Sequence, residues 1–220
     1  VQLEIGELAG PGCGVVHQRT AEHLAVLVVQ HLFPERLAEA LGETAVNLSR
    51  HEQRRDDDPT IVHRDEALEL DPAGFVDVID NPYFPLIPGS KWRLEGETDE
   101  GKEVDTITVT EDTKEVMGVT TTVVEDIVTI NGEVAEKTLD WYAQDVDGNV
   151  WYFGEDTAEY ANGKKLNTSG SWEAGVDVAL PGVIVHSDPQ VNDAFRQEYY
   201  KGEAEDMYWV VETNINKSVP

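Results

Sequence analysis

The segment Asp145-Val146-Asp147-Gly148-Asn149 carries oxygen-bearing side chains at alternating positions around a glycine, as calcium-binding loops do. Asp145, Asp147 and Asn149 are therefore candidate ligands of a weak calcium site. A loop of the EF-hand type would end in a bidentate glutamate, and the corresponding position here holds Asp156. The same residue types favour a hairpin turn, and turns of this composition are far commoner than metal loops.

Paired carboxylates would offer a different chemistry. Glu173 and Glu198 each lie among aromatic residues in the sequence, and such a pair can perform acid/base chemistry of the glycosidase type. In a chain with 44 acidic residues, however, some fall beside aromatics by chance. Both glutamates are therefore weak catalytic candidates.

A binding surface for a sugar or an apolar molecule would use aromatic side chains, since these can stack on a ring, together with a cation that orients the ligand. The candidate ligand-binding residues are Trp141, Tyr142, Trp151, Tyr152, Trp172 and Arg196. Aromatic residues on strands mostly pack in the core, and Arg196 can instead pair with an acid such as Glu198. The neighbouring carboxylates Asp140 and Glu155 are expected to keep the surrounding hairpin polar.

The charge and composition of the chain exclude several classes of function. There are 44 acidic residues against 16 basic ones, which gives a formal net charge of -28 and repels phosphate backbones and anionic lipids. We therefore expect no nucleic-acid partner. The single cysteine, Cys13, allows no internal disulfide and no cysteine-based zinc cluster. No apolar window approaches the roughly 18 residues that a membrane span needs.

The composition changes near residue 70 and predicts a domain boundary there. Residues 1–70 contain no lysine, tryptophan or tyrosine, whereas the first lysine of the chain is Lys91. This first segment is predicted to be helical, with Thr20 to Leu41 as its clearest helix, or disordered. Its status is doubtful, because its composition also resembles GC-rich DNA translated outside the true reading frame.

Residues 71–220 have the pattern of an antiparallel β domain. Four prolines between Pro72 and Pro88 give an extended entry segment, in which Tyr83-Phe84 and Leu86-Ile87 are expected to close one end of the core. From Lys91 onward, alternating strands are separated by turns, of which Asn131-Gly132 is the strongest hairpin signal. The fold class is therefore mainly β, an antiparallel meander closed as a β-barrel or packed as a β-sandwich.

Four segments of this domain together resemble a family of uncharacterised bacterial all-β proteins. They are NPYFPLIPGSKW from Asn81, DWYAQDVDGNVWYFGED from Asp140, GSWEAG from Gly170 and YYKGEAED from Tyr199. Many members of that family are exported or lipoprotein-like, so the resemblance implies an extracellular or cell-envelope location. Members usually continue beyond the point where this chain stops, which implies C-terminal truncation. The resemblance carries over no catalytic residue.

We expect a non-enzymatic, secreted or envelope-associated β domain that binds a small apolar or glycan ligand or has a structural role. One alternative is a β-barrel enzyme, a hydrolase or cyclase, that uses inward-pointing carboxylates and aromatics. Another is a weak calcium-binding module. A cavity that contains Glu173 or Glu198 beside tryptophans would favour the enzyme, and a solid core with every tryptophan buried would favour a structural module.

Overall fold

The computed structural model of the protein describes residues 70–191, 193–210 and 213. A single turn of 3-10 helix, Pro72–Gly74, precedes the first strand. The strands are β1 (Phe75–Val76), β2 (Lys91–Thr98), β3 (Gly101–Val116), β4 (Val119–Ile130), β5 (Glu133–Asp145), β6 (Val150–Ala161), β7 (Lys164–Asn167), β8 (Trp172–Glu173), β9 (Leu180–Val185), β10 (Ala194–Arg196), β11 (Glu198–Tyr199) and β12 (Met207–Trp209). The helix predicted for Thr20 to Leu41, and all of the first segment except Leu70, lie outside the described residues.

Ten of the twelve strands in the described residues form one curled antiparallel sheet. Consecutive hairpins join β2 to β6, and the sheet order is β11-β9-β6-β5-β4-β3-β2, with β10 and β12 paired separately. Long strands twist, so that a sheet of several such strands curls, and here it makes a half-barrel. The predicted mainly β, antiparallel fold is confirmed. In the part of the chain that the structure describes, no helix has the length and apolar character needed to cross a membrane.

The hairpin turns have the geometry that their sequences predict. Asn131 and Gly132 both have positive φ, at 53° and 84°, and Asn162 and Gly163 repeat this at 51° and 68°. Two consecutive left-handed residues make the tight turn whose twist matches the flanking strands, and asparagine and glycine adopt it at the least cost. Asn131 also fixes the neighbouring hairpin, because its side-chain amide donates to Glu100 O at 3.0 Å.

The entry segment is fastened to the end of the hairpin between β5 and β6. Gln144 Oε1 accepts hydrogen bonds from the backbone N–H groups of Asp80 and Asn81, at 3.0 and 2.8 Å. The buried Asn81 side chain then donates to Gly148 O at 2.7 Å. These bonds join the first two of the four segments that carry the family resemblance.

The entry segment closes the core only in part as predicted. Leu86 is buried, and Phe84 packs edge-on against Tyr142 at 5.5 Å between ring centroids. Ile87, which was expected to join them, is exposed instead. Ile79, which forms an antiparallel β-bridge with Leu86, is buried instead.

The two faces of β5 and β6 carry different residues. We call the face that bears Asp140, Tyr142, Tyr152 and Glu155 the tyrosine face, since Tyr142 pairs with Tyr152 and Asp140 with Glu155 across the two strands. The opposite face bears Trp141, because side chains alternate along a strand. Lys114 of β3 lies over the Trp141 ring, 3.2 Å from its centroid, so we call this the lysine face.

A β-bulge in β6 builds the tyrosine face. The pairing register shifts between Asp140 and Tyr142, so that β6 holds one extra residue at Phe153-Gly154. Tyr152 and Glu155 would point to opposite faces of a regular strand, and the bulge turns both to the same face. Gly154 has a φ of 128°, and a Cβ atom there would lie 2.3 Å from Trp172 O. Glycine is therefore required for β8 to approach β6 at this point.

Candidate functional site

The aromatic residues that were candidates for ligand binding mostly form the core. Trp141, Tyr142, Tyr152 and Trp172 are all buried, and Trp151 is half-buried. On the tyrosine face, Tyr142 stacks on Tyr152 at 4.9 Å, and Trp172 meets Tyr152 edge-on at 5.3 Å. Ring faces that are packed against each other are not open to stack on a sugar. Tyr142, Tyr152 and Trp172 therefore do not offer a stacking surface to a ligand.

The hydroxyl of Tyr152 lies between two buried carboxyl groups. Its oxygen is 2.7 Å from Asp140 Oδ1 and 2.8 Å from Glu155 Oε2. Asp140 and Glu155 are only 3% and 6% exposed, and Tyr152 is 0% exposed. The expectation that these two carboxylates simply keep the hairpin polar is therefore wrong. The bulge at Gly154 turns them toward Tyr152 instead.

One phenol carries a single hydrogen, which it can donate to only one of the two carboxyl groups at a time. Asp140, Tyr152 and Glu155 thus form a compact hydrogen-bonded group in which two carboxyl groups compete for one hydroxyl hydrogen.

The two stacked tyrosines are held in their neutral form. Burial raises the pKa of Tyr152 well above its ordinary value, and the charges of Asp140 and Glu155 raise it further. Burial likewise raises the pKa of Tyr142, followed by the charges of Asp140, Glu155, Asp126 and Glu198. Removing a phenol proton would create an anion in a buried, acid-rich setting, which is unfavourable. Both tyrosines therefore act as hydrogen-bonding phenols at neutral pH.

An acidic cleft of about 130 Å³ opens beside this group. The residues that define the acidic cleft are Glu155, Gly170, Gln197, Glu198, Glu203, Ala204 and Asp206. Glu198 of β11 is held in place by Trp172, whose indole N–H donates to Glu198 Oε2 at 3.1 Å. Glu155 therefore belongs to both the buried hydrogen-bonded group and the wall of the cleft.

Gln197 is the residue of the acidic cleft whose hydrogen bonding is incomplete. It is 9% exposed, and its Nε2 atom is fully shielded yet has no hydrogen-bond partner in the described part of the chain. Its backbone is fixed on both sides. The backbone N–H donates to Asp206 O at 2.9 Å, and a Cβ atom at Gly182 would lie 2.4 Å from the Gln197 carbonyl. A buried amide donor without a partner is costly in the free protein.

The structure separates the two glutamates that were candidates for acid/base chemistry. Trp172 and Glu173 are consecutive residues of β8, and their side chains point to opposite faces. Glu198 follows Trp172 to the tyrosine face, whereas Glu173 pairs with Lys114 on the lysine face, with 2.8 Å between Oε2 and Nζ. Glu173 and Glu198 therefore do not form a carboxylate pair. The carboxyl group that lines the cleft together with Glu198 on the tyrosine face is that of Glu155.

The segment from Asp145 to Asn149, which we call the Asp145 turn, uses its carboxylate to organise the chain. Asp145 Oδ1 accepts from the backbone N–H groups of Asp147 and Asn149, at 3.0 and 2.8 Å. Asp145 Oδ2 accepts from the Asn149 side chain and from Trp151 Nε1, at 2.9 and 2.8 Å. A calcium ion would have to displace these donors, and in the described residues no three His, Cys, Asp or Glu side chains are grouped to hold a metal. The calcium site stays a prediction.

Arg196, the remaining ligand-binding candidate, contacts an aromatic ring, and His186 contacts the Asp145 turn. The guanidinium of Arg196 lies over the ring of Tyr199, 4.5 Å from its centroid. His186 Nδ1 lies 3.2 Å from Asn149 Oδ1 and so belongs to the Asp145 turn. Burial lowers the pKa of His186, an effect that the charges of Asp193 and Asp145 partly oppose.

Sequence reasoning missed Gln197 and misjudged Glu155. A signal for Glu155 is present in the sequence, because Gly154 interrupts an otherwise β-rich run and a glycine inside a strand often marks a bulge. No sequence signal identifies Gln197, since its burial depends on β9 and on the turn that ends at Asp206. The chain matches no known protein-family model, no curated protein and no solved structure.

Proposed function

We propose that the β domain is a non-enzymatic binding module that takes a small hydroxyl-rich ligand, such as the end of a glycan, in the acidic cleft. The observation that carries this proposal is Gln197, which lines the cleft and whose buried Nε2 has no hydrogen-bond partner in the described residues. A rotation of this side chain would turn the amide into the cleft, where a bound hydroxyl or ring oxygen would accept from it.

The character of the walls favours a glycan over an apolar ligand. Glu155, Glu198, Glu203 and Asp206 all contribute carboxyl groups to the cleft. Carboxylates accept hydrogen bonds from hydroxyl groups, whereas an apolar ligand would cover them without satisfying them. The aromatic residues that would favour an apolar ligand are packed against each other in the core.

The proposed setting is the cell envelope or the exterior of a bacterium. This part of the proposal is supported by the resemblance of four segments to an exported or lipoprotein-like family. Two of those segments, from Asn81 and from Asp140, are hydrogen-bonded to each other through Gln144. A third, from Tyr199, contributes Glu203 and Asp206 to the acidic cleft.

The binding proposal is tested by titrating the isotope-labelled chain with a panel of neutral monosaccharides and recording amide spectra. We expect the side-chain amide signals of Gln197 to move with at least one sugar, together with backbone signals near Gly170 and Ala204, which also line the cleft. Changes confined to the lysine face, around Lys114 and Trp141, would place the binding elsewhere. A panel that leaves the Gln197 signals unmoved contradicts the proposal.

A second candidate function is hydrolysis, and one observation favours it. The acidic cleft holds Glu198 beside Trp172, which is the arrangement expected above to favour an enzyme, and Glu155 lines the same cleft as a second carboxyl group. This candidate requires that the chain release sugar from a glycan and that Glu198→Gln, which keeps the shape of the cleft, alter the pH dependence of that release. Binding without turnover leaves the first proposal in place.

A further inference from the structure

We infer that the chain pairs with a second copy of itself through the open edge of its sheet, which is the strand β2. The sheet order ends at β2, and in the described part of the chain only β3 pairs with this strand. A closed barrel has no such edge, whereas a half-barrel leaves one. The strand runs for eight residues, from Lys91 to Thr98, although edge strands that are protected from pairing are commonly very short.

Alternate residues of β2 direct their backbone N–H and C=O groups away from β3. Ser90 O accepts from the N–H of Val109 at 3.0 Å, so the chain bonds to β3 at Ser90 and then at every second residue. Lys102 of β3, which lies opposite Glu97, instead accepts from the N–H of Asn131 on its other side, at 2.7 Å. The backbone groups that point outward therefore belong to Lys91, Arg93, Glu95 and Glu97.

The outward residues of β2 carry a charge pattern that is complementary to itself. Two basic residues are followed by two acidic ones, so this edge is neutral within a chain whose formal net charge is -28. Two copies paired antiparallel about Leu94 place Lys91 of each copy opposite Glu97 of the other. The same register places Arg93 of each copy opposite Glu95 of the other. Opposite charges directly across an antiparallel pair stabilise it.

The neighbouring registers are less favourable. The backbone groups allow a shift only in steps of two residues, because every second residue points outward. One such shift places Arg93 opposite Arg93 of the second copy, and the other places Glu95 opposite Glu95. Like charges directly opposite each other are destabilising. The charges therefore favour the register about Leu94 and do not prevent pairing.

The opposite face of β2 supplies apolar contact in the same register. Leu94 is half-buried and would lie across from Leu94 of the second copy. Trp92, which is also half-buried, would lie across from Gly96, where an added Cβ atom would meet nothing within 4 Å. A glycine inside a strand weakens it and often marks a place where another group approaches closely. Gly96 thus leaves room for the Trp92 ring of the second copy.

The charges of the edge can form these contacts without losing those that they already make. Glu95 contacts Arg93 of its own strand, and its Oε2 lies 2.7 Å from Lys102 Nζ. A carboxylate has about four acceptor positions, so Glu95 can also accept from Arg93 of the second copy. The negative charges elsewhere on the two copies repel each other, but salt at physiological strength screens charges that lie more than about 8 Å apart.

Sedimentation of the full chain in about 0.15 M salt tests this inference. We expect a monomer that becomes a dimer as the protein concentration rises from about 1 μM to about 1 mM. Arg93→Glu places two acidic residues opposite each other, and Glu95→Arg places two basic residues opposite each other. Each variant alone should therefore raise the dissociation constant at least about tenfold. A mixture of the two variants restores opposite charges at every position and should form a heterodimer.

Lys137→Glu is the matched control for the charge. It makes the same change of charge as Arg93→Glu at an exposed residue of β5, a strand inside the sheet, and we expect the dissociation constant to stay nearly unchanged. An equal loss of the dimer in Lys137→Glu and Arg93→Glu would mean that net charge alone controls association. That result, or a mixture of folded Arg93→Glu and Glu95→Arg chains that stays monomeric, would overturn the inference.

Hydrogen exchange of the backbone amides distinguishes the other possible occupants of the edge. The N–H groups of Arg93 and Glu95 point outward, so we expect their protection to rise with protein concentration while that of Leu94, which faces β3, stays constant. Protection of Arg93 and Glu95 at every concentration would mean that another segment of this chain covers the edge. Amides that stay unprotected at every concentration would leave the edge open, as a site for a different protein at most. Either result overturns self-pairing.

Discussion

The Asp145 turn and the acidic cleft are alike in composition and opposite in hydrogen bonding. Both are rich in carboxylates and both lie beside tryptophan side chains. In the turn, the two oxygens of Asp145 accept four hydrogen bonds from Asp147, Asn149 and Trp151. In the cleft, Gln197 Nε2 is shielded from solvent and has no partner in the described residues.

This difference distinguishes polar residues that stabilise the fold from polar residues that we propose bind a ligand. The groups of a turn that satisfies its own donors and acceptors gain nothing from a ligand, and they contribute to stability. A cleft that keeps a donor unmet loses stability in the free protein and recovers it when a ligand supplies the acceptor. Substitutions in the two places should therefore act on stability in the first and on binding in the second.

The largest effect is expected at the turn. Asp145→Ala removes the acceptor of four hydrogen bonds, and we expect it to lower the free energy of unfolding by about 3 kcal/mol. Denaturant unfolding followed by tryptophan fluorescence measures the change. Asp147→Ala is the control, because Asp147 is exposed, and we expect a change within about 0.5 kcal/mol. Equal effects of the two variants would contradict the structural role of Asp145.

The unmodified chain and the Asp145→Ala variant together test the calcium prediction. If millimolar calcium raised the stability of the unmodified chain but not that of Asp145→Ala, the turn would be a metal site in addition to a structural one. The comparison between turn and cleft would then fail, because both places would bind a ligand.

A smaller effect is expected in the buried group that joins the tyrosine face to the cleft. Tyr152→Phe keeps the stacked ring but removes the hydroxyl that contacts Asp140 and Glu155, and we expect it to lower the free energy of unfolding by about 2 kcal/mol. Tyr160→Phe serves as control at a half-buried tyrosine of the same strand, with an expected change below about 0.5 kcal/mol. A Tyr152→Phe variant as stable as the control would show that the hydroxyl does not hold the two carboxyl groups together.

The sequence predicted the strands and turns well because these depend on local chemistry. The Asn131-Gly132 turn follows from the need for two left-handed residues between two strands. Burial of Trp141 and Trp172 agrees with the tendency of strand aromatics to form the core, which the sequence analysis had weighed against ligand binding.

The acidic cleft was not predictable in the same way because its parts come from distant segments. Glu155 reaches it through a bulge that depends on Gly154 and on the close approach of β8. The backbone of Gln197 is in close contact with β9 at Gly182. Glu173 and Glu198 looked equivalent in sequence, and a single step along β8 sends the first to the lysine face while Trp172 holds the second on the tyrosine face.

The pH dependence of stability in the alkaline range is expected to report the tyrosine face. Burial and the neighbouring carboxylates raise the pKa of Tyr142 and Tyr152, so both keep their protons in the folded chain while an unfolded tyrosine ionises near pH 10. Their contribution to stability is therefore complete below that pH and is lost as the pH rises above it, by up to about 1.4 kcal/mol per pH unit for each residue.

Denaturation midpoints and phenolate absorbance, measured together across the alkaline range, check this prediction. We expect phenolate formation to stay below the full signal of the seven tyrosines until the chain unfolds. Tyr142→Phe should reduce the slope of stability against pH, and Asp147→Ala should leave it as it is. Complete ionisation of all tyrosines in the folded chain would contradict the buried acid-rich setting of this pair.

The smallest effect on stability, and the sharpest contrast, is expected between two buried glutamines. Gln197→Met replaces an amide that lacks a partner at Nε2 with an apolar side chain of similar length, so we expect the free energy of unfolding to stay unchanged or to rise by up to about 1 kcal/mol. Gln144→Met removes an amide that accepts from Asp80 and Asn81 and donates to Asp80, and we expect it to lower the free energy of unfolding by about 2 kcal/mol.

Denaturant unfolding of the two variants measures both changes in the free energy of unfolding. A sugar titration should show that only Gln197→Met abolishes binding while the chain stays folded. A Gln197→Met variant that is destabilised as much as Gln144→Met would mean that the amide is already satisfied in the free protein, and the acidic cleft would then resemble the Asp145 turn.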